Sequence, residues 1–180
     1  MPHDDSISIP DQFDAIGTWV YRLVGTTHWT EDEFDEAREI CAAISELRSR
    51  IDAEGPDVFR DEMDGSNELY ESVDHLVADR PCRSMAAAMA KLRFDINSNP
   101  QSSGEAELQT VLALAVAEIE RDPAEAVRLL RIAVEHPTIN YYDATFPIRL
   151  QDVLRQVEGK PEEFDHLFFL DLSGLLATHR

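Results

Sequence analysis

The sequence predicts an all-α fold, a compact bundle of about seven to eight helices with helical-hairpin packing and no significant sheet. Three observations carry this. Apolar residues recur at three- and four-residue intervals along most of the chain, N-capping residues head several of those stretches, and no segment combines period-two alternation with β-branched residues.

The elements follow in order. Pro10 suits a first turn, and Phe13, Ile16, Gly17, Val20, Leu23 and Val24 give the first helix, ending near Gly25. Thr30 with Glu33 is a capping box for a second helix, whose inward stripe is Phe34, Ala37, Ile40, Cys41, Ile44, Leu47 and Ile51, stopped by Gly55-Pro56. A third helical region runs from Asp57 to about Ala78, with a break expected at Gly65-Ser66. Ser84 caps a fourth, in which Met85, Ala88, Met89, Leu92 and Ile96 face inward. Residues 97–104 are polar turn formers and read as a linker. Ala106 to Glu120 forms the next helix, and Asp122-Pro123-Ala124-Glu125 opens its hairpin partner, which Pro137 ends. Ile139 to Thr145 reads as a loop, Pro147 to Val157 as a short helix, and Pro161 opens a last helix too apolar for one buried face.

At 180 residues, with 43% hydrophobic and 29% charged composition, the chain has a core to bury and reads as one compact domain. Its parts are an acidic helical half at 1–96, the linker candidate at 97–104, and helical hairpins over 105–180. The 36 acidic and 16 basic residues give a formal charge of -20, which repels phosphate backbones and disfavours direct nucleic-acid binding. Most of that charge lies before residue 80, where 21 acids face 5 bases. Two cysteines are too few for a disulfide framework, and Cys41 sits on an apolar helix face. With no basic leader at the start and no apolar run of about 20 residues, a cytoplasmic location without membrane insertion is expected.

The most specific surface feature is a carboxylate ridge. Glu31, Asp35, Glu39 and Glu46, with Asp32 beside them, project opposite the apolar stripe of the second helix, and Arg38 and Arg50 partly neutralise them. Asp57, Asp61 and Asp64 extend the negative region. Asp64-Gly65 with Glu71 resembles the end of a calcium loop, but Arg60 stands where such a loop needs its first carboxylate.

Two segments, Glu71 to Leu76 and Glu162 to Leu167, each set carboxylates a turn from a histidine. Glu163 and His166 have the spacing used in di-iron bundles, without the further inward glutamates that such a site needs. Surface ion pairs are the simpler account. Arg80, Arg83, Lys91 and Arg93 form a basic island, in which Lys91 and Arg93 are expected to lay their stems on apolar surface and reach water. Asp122-Pro123-x-x-Ala126, with Leu130, Ala133 and Pro137, resembles the second half of a tetratricopeptide-type hairpin. The resemblance covers one hairpin, with no repeat of about 34 residues around it.

No phosphate-cradling glycine loop, nucleophile elbow, Cys-x-x-Cys or His-Glu-x-x-His occurs. The leading expectation is a non-catalytic interaction module without cofactor or metal, an adaptor or regulator that offers its acidic N-terminal surface to a basic protein. The alternatives are a nucleic-acid-mimicking inhibitor or immunity factor and, third, a metal-dependent helical-bundle enzyme. Trp19, Trp29, Tyr141 and Tyr142 are candidate aromatic anchors, and the apolar last helix is a candidate surface for self-association.

Overall fold

The computed structural model describes residues 7–96, 100–141 and 145–160. Its order is α1 (Ile9–Gly25), α2 (Glu31–Glu54), α3 (Arg60–Asp79), α4 (Met85–Phe94), α5 (Ser103–Glu118), α6 (Pro123–Val134), a 3-10 turn (Pro137–Tyr141) and α7 (Thr145–Val157). The fold is all-α, with no strand among the described residues. The expected last helix, the histidine segment at 162–167 and Tyr142 lie outside them.

Side-chain caps explain where most helices begin. Ser8, Thr30, Ser84, Ser102 and Asp122 each accept a backbone N–H from the first turn of the helix that follows. At Thr30 the capping box is complete, because Glu33 Oε2 accepts the Thr30 N–H at 2.7 Å in return. At the C-terminal end of α7, Gly159 takes φ +69°, and the Lys160 N–H reaches the Arg155 carbonyl at 2.9 Å, which closes the helix in a Schellman turn.

Helix α2 organises the N-terminal half. Phe34, Ala37, Ile40, Ile44, Leu47 and Ile51 are fully buried along one face, and α1, α3 and α4 pack around it. Polar bonds fix the flanks. Trp19 Nε1 and Arg22 donate to Glu36, Arg50 donates to Gln12 and to the Ile7 carbonyl, and on the other flank Arg48 donates to the Ser66 hydroxyl and carbonyl, both at 3.0 Å.

Helix α3 runs unbroken through Gly65-Ser66, contrary to the break expected there. The glycine serves packing. A Cβ at Gly65 would lie 2.6 Å from Phe13 Cζ, so the residue leaves room for that ring between α1 and α3. Helix α5 also starts earlier than expected and takes in Ser103 and Gly104, the last residues of the linker candidate. There a Cβ would lie 2.5 Å from Thr138 Oγ1, a close approach to the 3-10 turn.

In the second half α5 packs on α6 and α6 on α7. Helix α7 then returns to α4 and α3. The junction between the two halves is therefore made largely by one helix of thirteen residues.

Candidate functional site

The structure sets the ridge residues on a helix whose opposite face cannot turn. Glu31, Asp32, Glu39 and Glu46 are exposed and Asp35 is half-buried, all away from the buried stripe of α2. At 1.5 Å per residue, Glu31 and Glu46 stand about 22 Å apart along the axis. Arg38 reaches Asp35 at 3.4 Å, whereas Arg50 turns to Glu54 at 3.5 Å and to the start of α1. Asp57 lies in the turn after α2, paired with Arg60 at 3.0 Å, and Asp61 and Asp64 are exposed on the first turns of α3. None of these three lies on α2, so the continuous part of the ridge is the α2 set.

Other expected positions disperse. Trp29 is buried, its indole N–H donating to the Thr26 carbonyl, and Trp19 is held by Glu36, so neither is an open anchor. An aromatic side chain that does stand open is Tyr21, 81% exposed on the outer side of α1. His75 is exposed, with Nδ1 2.7 Å from the Glu71 carbonyl. Among the described residues no group of three or more His, Cys, Asp or Glu side chains is placed to hold a metal ion.

The basic island also dissolves. Arg83 is exposed and Arg80 lies against Asp79 at 3.8 Å, but Lys91 is wholly buried, which corrects the expectation that its head reaches water. Its ammonium donates to Asp152 Oδ2 of α7 at 2.7 Å, to the Arg80 carbonyl at 2.7 Å and to the Ala78 carbonyl at 3.5 Å. The last two belong to the C-terminal end of α3, where unpaired carbonyls and the helix dipole favour a cation. Asp152 Oδ2 also accepts the Cys82 N–H at 2.9 Å, and the Phe34 ring lies 5.7 Å from the ammonium.

A second buried assembly adjoins it. Arg149 of α7 donates from Nη1 to Asp74 Oδ1 at 2.6 Å and from Nε to Asp95 Oδ1 at 2.9 Å, with Nη2 2.8 Å from the same Asp95 oxygen. The Thr145 hydroxyl accepts from Arg149 at 2.6 Å and donates to Asp74. Phe94 and Phe146 cover the guanidinium at 5.4 and 5.7 Å. Such fork geometry suits arginine, and the ring faces favour its charge.

The surroundings respond to this burial. Desolvation pushes the Asp95 carboxyl up to about 6, with Arg149 opposing the shift. Desolvation also raises the Cys41 thiol and the Tyr70 hydroxyl, each to about 12, and pushes the Cys82 thiol up as well. Cysteines in this state are poor nucleophiles.

An open groove of about 390 Å³ runs between α6 and α7, lined by Pro123, Ala124, Val127, Arg131, Val157, Glu158 and Lys160. On its rim Arg131 pairs with Glu158 at 2.5 Å, and the lining residues include no serine, threonine, cysteine or histidine. Among the described residues no helix is long and apolar enough to cross a membrane.

Fold and surface together define an all-helical protein with a carboxylate stripe on its central N-terminal helix and an internal charge cluster at the junction of its halves. No protein family matches the sequence, and no curated protein or solved structure is similar to it at a significant level.

Proposed function

We propose that the protein is a non-catalytic interaction module whose α2 stripe docks a basic protein surface. One observation carries this reading: Glu31, Asp32, Glu39 and Glu46 face outward from a helix whose other face is fully buried, so the carboxylates are presented by a fixed backbone. A helix already folded adds no backbone-ordering cost on docking, and a field of one sign speeds encounter with a partner of the other.

The reading is tested by affinity capture from the native host at low and moderate salt, with wild type and the double variant Asp35→Lys/Glu39→Lys as bait. A basic protein retained by wild type and lost by the variant supports the proposal, and identical capture by both removes the stripe from any account of function. A second reading, mimicry of a nucleic-acid strand, draws support from the regular recurrence of Glu31, Asp35 and Glu39, about 6 Å apart along the axis. Displacement of the captured protein by DNA favours mimicry, and retention in its presence favours the adaptor.

A further inference from the structure

The cluster at the junction of the halves holds Asp74, Asp95 and Asp152 around Arg149 and Lys91. All five side chains are at least nine-tenths buried. The Asp95 side chain is only 3% exposed, and a carboxylate taken out of water lowers its free energy by taking a proton.

The three carboxylates are not equivalent. Asp152 meets the Lys91 ammonium and a backbone N–H. Asp74 receives the Arg149 Nη1 and the Thr145 hydroxyl. Asp95 is the C-cap of α4, where the partial negative charge of the last carbonyls disfavours a carboxylate, and Arg149 approaches it through one oxygen, Oδ1.

The charged and titratable groups that act on it are Arg149 from α7, Asp74 and Tyr70 from α3, and Lys91 from α4 itself. From α2, Cys41 senses the charges of Asp74, Arg149 and Arg48.

We propose that Asp95 is a buried proton-binding site, which makes the junction of α3, α4 and α7 a clasp that tightens on mild acidification. The carboxyl gains one proton from solvent and no other bond changes order. Arg149 then keeps its ion pair with Asp74, while the neutral Asp95 carboxyl still accepts from the guanidinium.

The direction of the linkage follows. An aspartate ordinarily titrates near 3.8, and here burial moves the carboxyl up to about 6. The folded chain therefore holds this proton more tightly than the unfolded chain, and stability rises as pH falls through 6.

The test compares full-length wild type with Asp95→Asn by urea unfolding between pH 7.5 and 5. Repulsion among surface acids is common to both proteins and cancels in the difference. The variant is expected to be at least as stable as wild type at pH 7.5, with wild type gaining on it toward pH 5. A difference that stays flat over this range overturns the proposal, as does an Asp95→Asn penalty that grows with pH.

Carboxyl NMR of wild type supplies a readout that needs no variant. One buried aspartate titrating near 6 is expected, and ordinary titration of every aspartate below 5 refutes the site.

Discussion

Lys91 of α4 and Asp152 of α7, separated by 61 positions in sequence, meet at 2.7 Å in an interior where Lys91 has no exposed surface. The pair is more than an ion pair, because the same ammonium closes the end of α3 through the Ala78 and Arg80 carbonyls. One side chain thus ties three helices at the junction of the halves.

Removal of that cation alone is costly. Lys91→Met leaves a buried carboxylate and carbonyls without their donor, and a loss of about 3 to 5 kcal/mol is expected. Adding Asp152→Asn removes the stranded charge while keeping an oxygen for the Cys82 N–H, so the double variant recovers part of the loss. Urea midpoints of the two variants and wild type check this. A double variant no more stable than Lys91→Met shows that Asp152 is not the charge Lys91 compensates.

The helices themselves were legible in the sequence, because their signals are local. Thr30 and Glu33, Ser84, and Asp122 with Pro123 stand within a turn of the backbone they cap, and the α2 stripe repeats with the helical period. The charge cluster was not, because its partners come from distant elements and a charged residue ordinarily faces water. A faint signal existed. Arg149 falls between Phe146 and Val153 on the buried period of α7, and Lys91 follows Ala87 and Ala88 by one turn on α4, positions where a solvent-facing charge has no place. The ridge lay between these cases: its five α2 positions follow from helical spacing, whereas Arg50's turn toward Gln12 and Ile7 depends on where α1 packs.

Thr30 gives a pH-dependent prediction from a single cap. The Thr30 hydroxyl, first, and its N–H, second, hold the Glu33 carboxyl below its ordinary range. A depressed carboxylate contributes stability that is present above the unfolded-state value and lost as pH falls through the folded one. Thr30→Ala is therefore expected to cost about 1 kcal/mol near pH 7. The gap to wild type narrows below about pH 4. Thermal unfolding of both proteins across that range measures it, and a gap independent of pH excludes the Glu33 contribution.

The cysteines predict a chemical result. Cys41 is pushed up to about 12 and Cys82 is likewise raised, each chiefly by burial, so neither presents an appreciable thiolate at pH 8. Iodoacetamide under native conditions should leave both unmodified, and the same treatment in denaturant should label both, as read by intact mass. Rapid native labelling of Cys41 contradicts the burial that the structure gives it.

The ridge makes a prediction about stability that is independent of any partner. Asp35 and Glu39 are four residues apart on α2, as are Glu31 and Asp35, and each like-charged pair at this spacing costs about 0.2 to 0.5 kcal/mol. Glu39→Lys converts one repulsive pair into an acid followed four residues later by a base, the favourable orientation, so the variant should be more stable than wild type by about 0.5 kcal/mol. Added salt should shrink the gain, because the charges concerned are close to solvent. This sign matters for the functional test. A charge-reversed ridge that loses its partner while the helix beneath it becomes firmer has lost a docking surface and not a fold, whereas a destabilised Glu39→Lys protein means that Glu39 is engaged in a stabilising interaction within the chain and does not stand free for a partner.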